Sequence, residues 1–169
     1  MKRFLLLLAA FFTALPAQGE PFGRGADDLA AETRAAAEEG KLLAVLFEQQ
    51  DCVYCHALRN EVLTHGEAAV FEQRFRTVKV AIDVADALKT PKGDSLPSAA
   101  QWAEKLGVSG TPAFVFFDGE GGLVYRHTGT LSSPRELILL GRFIHEQAYE
   151  EAPWAAYRDA HETGNDNIR

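Results

Sequence analysis

Only two cysteines occur in the 169-residue chain, Cys52 and Cys55, and they stand three residues apart. Cysteine pairs in exported proteins usually crosslink distant segments and thereby stabilise the fold. A disulfide that closes so small a loop restricts the unfolded chain little, so a purely structural role is a poor explanation. Two thiols at this spacing can instead pass reversibly between dithiol and disulfide, and we expect redox chemistry there.

The segment around the cysteines predicts a buried strand followed by a helix. Residues 42–47 (LLAVLF) form a continuous apolar run, and Asp51 is placed to cap a helix that starts at the cysteines. Unpaired N–H groups and the positive dipole end at a helix start stabilise a thiolate, the nucleophile in disulfide exchange. We expect Cys52 to be exposed as the nucleophile, and Cys55, one turn deeper, to resolve the mixed disulfide.

The residue after the pair offers two other chemistries. Cys52-Val-Tyr-Cys55-His56 satisfies the C-x-x-C-H pattern of c-type haem attachment, with His56 as an axial ligand. The only methionine is Met1, so the usual second axial ligand is missing, and haem does not account for the strands. Two thiolates with His56 or His65 could also hold zinc, but no second close ligand pair exists. We therefore expect neither a metal nor a dissociable cofactor.

The remaining sequence predicts alternating helices and strands. Helices are expected at 27–39, from Cys52 to residue 75 with a bend near Gly66, from Ser98 to before Gly107, and from Ser133 to about residue 149. Strands are expected at 42–47, 77–84, 113–117 and 123–127, the last two as a hairpin. Residues 85–97 predict an inserted loop. This order indicates an α/β fold with a mixed central sheet and helices on both faces.

A second motif, Gly110-Thr111-Pro112 followed by an apolar strand, resembles the cis-proline loop of the thioredoxin superfamily. With the CxxC pair and the element order, this resemblance covers residues 27 to about 149. It implies a thioredoxin-like fold in which the bond before Pro112 is cis and the loop packs against the CxxC. It also implies that Thr111 and Pro112, with Tyr54 between the cysteines, contact an extended substrate segment beside Cys52.

Within that superfamily the chain is most similar to exported thioredoxins of the SoxW type, in residues 46–55, 106–112 and 125–149. That resemblance implies a dithiol reductant of periplasmic protein disulfides, reloaded by a membrane or periplasmic electron donor. A disulfide oxidant or isomerase is the alternative, and a module that only binds partners is a third. The buried acid on the strand before an ordinary thioredoxin's CxxC aligns with Leu46, and Glu48 on the same strand face is expected to replace it in proton transfer.

The N-terminus predicts export. Lys2 and Arg3 precede an apolar run and small residues, so residues 1–19 read as a cleaved signal peptide, and no stable membrane anchor is expected. Residues 20–152 are long enough for one domain, and residues 153–169 are expected to be a tail with a short packed turn at 154–157. The net charge of −7, two units more negative after cleavage, argues against nucleic-acid partners. We expect a periplasmic protein that acts on protein thiols and disulfides.

Overall fold

The computed structural model describes residues 20–162. The predicted signal peptide at 1–19 lies outside the described residues, as do residues 163–169 of the predicted tail. The α-helices are α1 (Leu29–Glu38), α2 (Val53–Leu58), α3 (Ala99–Lys105), α4 (Pro134–His145) and α5 (Trp154–Glu162). A π-helical turn covers Arg59–Leu63, and 3-10 helices cover Gly66–Gln73 and Ala148–Glu150. The strands are β1 (Leu42–Glu48), β2 (Phe75–Ala81), β3 (Leu88–Lys89), β4 (Ser95–Leu96), β5 (Ala113–Phe117) and β6 (Leu123–Thr128).

The longer strands form one sheet in the order β2-β1-β5-β6. β1 runs parallel to β2 and antiparallel to β5, and β5 pairs antiparallel with β6. The five central residues of β1 are buried, as the apolar run predicts for a strand covered on both faces. The predicted mixed sheet is thus confirmed, with β1, which leads into the cysteines, in its interior.

Helices cover both faces of the sheet, and alternate residues of β1 divide between them. Val45 and Phe47 pack with residues of α1 and α3, on what we term the α1 face. Leu46 packs with residues of the π-helical turn and α4, on what we term the α2 face. Because side chains alternate along a strand, Glu48 belongs to the α2 face, at the end of β1 nearest the cysteines.

Local signals set the starts of several helices as predicted. Ser98 and Ser133 each accept a hydrogen bond from the backbone N–H three residues on, at the starts of α3 and α4. Pro134 is the first residue of α4, where its missing N–H costs nothing. Gly40 takes a left-handed φ of +67° just after α1, a conformation that glycine adopts without strain.

Several predicted boundaries are wrong because strand pairing overrides local pattern. The helical segment after the cysteines stops before Phe75, which opens β2 opposite Leu42. β2 also ends at Ala81 rather than residue 84, because its partner β1 ends at Glu48. The predicted loop at 85–97 contains the small antiparallel pair β3–β4. α4 ends at His145 rather than near residue 149 for a different reason, because Gln147 takes a left-handed φ of +56° that interrupts the helix.

The C-terminal segment is more ordered than its sequence suggests. In place of the predicted short turn at 154–157, Trp154–Glu162 form the nine-residue helix α5. Trp154 is 8% exposed and belongs to the core of the α2 face, where its ring meets that of Phe143. Burial of this large aromatic surface holds α5 against α4, which a local sequence pattern cannot reveal.

Candidate active site

Cys52 and Cys55 are joined by a disulfide at the start of α2. Cys55 is only 4% exposed, whereas Cys52 is half-buried and reachable from the surface. β1 carries the chain to this edge of the sheet, and the first turn of α2 then directs the second sulfur inward. The two sulfurs therefore differ in their access to a partner, as expected for cysteines one helical turn apart.

Cys52 itself, rather than Asp51 as predicted, is the N-cap of α2. Its backbone is extended, and its sulfur accepts a 3.1 Å hydrogen bond from the N–H of Cys55. The Cys52 carbonyl also accepts from the N–H of His56, which places the helix start one residue later than expected. A sulfur at this position lies at the positive end of the helix, beside N–H groups of the kind that stabilise thiolates.

The loop before β5 closes over the disulfide. The Thr111–Pro112 peptide bond is cis, and the carbonyl oxygen of Thr111 lies 3.5 Å from Cys52 Sγ. The Thr111 hydroxyl donates a 2.9 Å hydrogen bond to the side-chain oxygen of Gln49. This bond ties the loop to the segment that precedes the cysteines, so the loop and the sulfur are held together across 59 positions of sequence.

The two residues between the cysteines are exposed apolar side chains. Val53 is 75% exposed and Tyr54 is 66% exposed. Water-exposed apolar groups of this size beside a reactive sulfur offer surface that a partner can bury. Tyr54, Thr111 and Pro112, the predicted substrate contacts, all lie in the segments that border Cys52.

Glu48 is held by two cations on the α2 face. Its carboxylate forms a short ion pair with Arg59 of the π-helical turn, and its other oxygen lies 3.7 Å from Lys79 Nζ of β2. The side chain of Glu48 is 14% exposed. A small pocket of about 90 Å³ brings Glu48 and Arg59 together with Cys55 and His56. The predicted proton-transfer residue thus shares a pocket with the inner cysteine.

His56 has a partner of its own. Its Nε2 lies 2.8 Å from the carbonyl oxygen of Gln50, which can only accept, so this nitrogen donates. A c-type haem would need that imidazole and both cysteine sulfurs, and here all three are bonded otherwise. His65, the other histidine considered for zinc, is exposed after the π-helical turn. Within residues 20–162, no three His, Cys, Asp or Glu side chains are grouped to hold a metal.

The sequence did not predict four of the side chains that lie around the cysteines. Asp83 accepts a 2.7 Å hydrogen bond from the N–H of Gln50 and fixes the loop that leads to Cys52. Gln49 holds Thr111, and Lys79 reaches Glu48 from the neighbouring strand. Only Arg59 had a local signal, its position four residues after Cys55 on one helix. The others depend on contacts between distant segments.

A family described as a thioredoxin-like domain matches residues 29–144. The chain belongs to this family. The match includes both cysteines, Glu48 and the Thr111–Pro112 loop. A thioredoxin-like domain with a Cys52–Cys55 disulfide at a helix start indicates thiol–disulfide oxidoreductase chemistry.

Several solved structures are similar to this chain, and the first of them has the same fold. A thioredoxin-fold protein from Helicobacter pylori is 18% identical with a TM-score of 0.57, over 75% of this thioredoxin-like chain and 94% of that chain. A thioredoxin from Thermus thermophilus is 26% identical with a TM-score of 0.49, over 64% and 75% of the two chains. The reduced C-terminal domain of DsbD from Neisseria meningitidis is 14% identical with a TM-score of 0.49, over 68% and 91%.

No curated protein sequence matches this thioredoxin-like chain. Across residues 20–162, none of the helices has both the length and the apolar character that crossing a membrane requires.

Proposed function

We propose that this chain is an exported thiol:disulfide oxidoreductase that reduces disulfides of periplasmic proteins. The observation that carries the proposal is the arrangement of the Cys52–Cys55 disulfide at the N-cap of α2, with one sulfur accessible and the other buried. Such a pair can exchange with a partner through the outer sulfur and then close on itself through the inner one. The direction of electron flow is a property of the redox potential of this pair.

In the proposed reaction, the Cys52 thiolate attacks a disulfide of the substrate and forms a mixed disulfide. Cys55 then attacks Cys52 and releases the reduced substrate. The helix start stabilises the attacking thiolate, and this support is available without movement of the chain. The two roles follow from the difference in exposure between the two cysteines.

The proposed substrate site is the border of Cys52. Thr111 lies beside the sulfur, where its backbone can pair with an extended segment of the partner, and Pro112 shapes the turn. The exposed ring of Tyr54 gives the partner apolar surface to cover. Backbone pairing is insensitive to partner sequence, so this border suits several protein substrates.

Glu48 is the proposed acceptor of the Cys55 proton. It is the carboxylate that lines the pocket with Cys55, and the pocket is large enough for a water between them. Arg59 and Lys79 hold the carboxylate in place from two sides. Loss of this carboxylate should therefore slow exchange.

The finer assignment is to a SoxW-like reductant, reloaded by a membrane or periplasmic electron donor. It is supported by the signal-peptide pattern of residues 1–19 and by the sequence resemblance around the cysteines and the cis-proline loop. A disulfide oxidant or isomerase would use the same residues. A reductant and an oxidant differ in the stability of the dithiol form relative to the disulfide.

The direction of electron flow is tested by the equilibrium redox potential of the Cys52/Cys55 pair. The potential is measured against glutathione in a protein that begins at residue 20. A potential at or below about −220 mV would agree with a reductant, and one near about −120 mV would mean an oxidant. A companion assay follows reduction of a protein disulfide such as that of insulin. A pair that does not titrate, together with a haem absorption band, would refute thiol exchange altogether.

A further inference from the structure

Arg59 lies beside the buried cysteine, and the proposed exchange reaction gives it no role except to hold Glu48. Its backbone N–H bonds to the carbonyl of Cys55, so the two residues lie one helical turn apart. Side chains four residues apart on a helix are neighbours, with Cβ atoms about 5–6 Å apart. Arg59 and Cys55 also line the same pocket of about 90 Å³. The guanidinium is therefore within reach of the inner sulfur.

The pocket beside Cys55 holds a carboxylate and a cation, and a second cation lies against the carboxylate. Its own helix presents Arg59 and His56, β1 presents Glu48, and β2 adds Lys79 through its contact with Glu48. Two permanent cations thus face one carboxylate. The loops on either side contribute Asp51 and Asp83, which are exposed, and the Thr111–Pro112 loop contributes no charge. Charges in water are screened more strongly than those that line a pocket, so Arg59 and Glu48 act on the sulfur more strongly than the two exposed aspartates do.

We propose that Arg59 is a positioning residue for the resolving step, with a guanidinium that stabilises the thiolate of Cys55. Glu48 orients this guanidinium while Cys55 is neutral. When Cys55 loses its proton, the same cation faces a second anion in the pocket. This inference rests on the proposed function, because a resolving step exists only if the pair exchanges with a substrate.

The step that Arg59 favours is a simple exchange. Cys55 first gives its proton to water in the pocket or, through it, to Glu48. The Cys55 thiolate then attacks Cys52 Sγ of the mixed disulfide, the Cys52–Cys55 bond forms, and the bond from Cys52 to the substrate sulfur breaks. The substrate sulfur leaves with the electron pair and takes a proton from solvent. Two electrons pass from the protein dithiol to the substrate disulfide.

The test is the titration of Cys55 in the reduced protein, followed by the ¹³Cβ chemical shifts of the two cysteines. Arg59→Met should raise the pKa of Cys55. Rapid mixing with an aromatic disulfide should show the release of the second thiol slowed about tenfold at pH 7, the factor that one pKa unit represents. The slowing should disappear at a pH where Cys55 is fully ionised. Arg59→Lys should restore most of the rate, because the charge is retained.

Arg76→Met is the matched control. Arg76 pairs with the carboxylates of Glu32 and Glu39 on the α1 face, and its side chain is 27% exposed against 31% for Arg59. This variant should leave the titration of Cys55 unchanged. An unchanged Cys55 pKa in Arg59→Met, or an equal shift in Arg76→Met, would overturn the proposal. The titration needs no substrate, so its result is separate from the success or failure of the reductase assay.

Discussion

Glu32 and Glu48 are carboxylates that are each held by two cations, on opposite faces of one sheet. On the α1 face, Glu32 of α1 lies 2.5 Å from Arg24 and 2.7 Å from Arg76. On the α2 face, Glu48 is paired with Arg59 and Lys79. The carboxylate side chains are almost equally exposed, at 13% and 14%. The two clusters are therefore alike in composition and burial.

They differ in what lies beside them. The Glu32 cluster joins the N-terminal segment, α1 and β2, and its contacts are with the chain itself. The hydrogen bond from Arg24, against the opposing cost of burial and with further help from Arg76, lowers the pKa of Glu32 to about 2. The Glu48 cluster shares a pocket with Cys55. An ion cluster acquires a chemical role through its neighbour, and the neighbour is set by the tertiary fold.

The largest expected effects come from removal of either sulfur beside the Glu48 cluster. Cys52→Ser should abolish disulfide exchange, because no accessible sulfur remains to attack the substrate. Cys55→Ser should instead accumulate a mixed disulfide between Cys52 and substrate, because nothing resolves it. Non-reducing gels and mass spectrometry of the trapped species check both outcomes. Multiple turnovers by Cys55→Ser would contradict the assigned roles.

The next effect compares the two carboxylates directly. Glu48→Gln should slow exchange roughly tenfold near pH 7, less than a full general base provides, because pocket water can also accept the proton. Glu32→Gln is the matched control, and it should leave the exchange rate unchanged. The measurement is the pH profile of insulin reduction for both variants. If both variants slowed insulin reduction equally, the Glu48 cluster would affect the rate only through the stability of the fold.

A smaller effect concerns stability in acid. The pKa of Glu32 is lower in the folded protein, about 2, than the ordinary 4.5, so its stabilisation is complete above 4.5 and is lost as the pH falls toward 2. Glu32→Gln should therefore cost about 1 kcal/mol at neutral pH. Urea unfolding of both proteins should show the difference shrink at pH 3. A cost that is the same at both pH values would contradict the ion-pair origin.

The smallest effect concerns His127, a half-buried group without such a cluster. Burial lowers the pKa of His127, opposed by Glu136 and a hydrogen bond with the Thr130 backbone and aided by Arg158. The ring lies among apolar surfaces, near Trp154, and its Nε2 is buried without a hydrogen-bond partner. The contribution of His127 to stability should be complete above pH 6.5 and should be lost as the pH drops through the lowered pKa. His127→Gln should flatten the dependence of the free energy of unfolding on pH between pH 7 and 5. An unchanged dependence would mean that another group causes it.

The sequence by itself determined the elements whose causes are local. The CxxC spacing before a helix, the apolar run of residues 42–47 and the caps at Ser98 and Ser133 act within a few residues. Short-range backbone geometry and burial periodicity suffice to interpret them. The order of the four strands of the central sheet and of the helices between them follows from these signals, whereas β3, β4 and α5 do not.

Only the tertiary structure decided which distant residues meet. Lys79 reaches Glu48 because the parallel pairing of β1 with β2 sets their register, and a shift by one residue would turn Lys79 to the other face. Phe75 lies in a strand because its backbone pairs opposite Leu42. Thr111 reaches Cys52 through the loop that closes over the helix start. Hydrogen bonds and ion pairs between distant segments leave no periodic trace in the sequence, so the contents of the pocket beside Cys55 are a product of the fold.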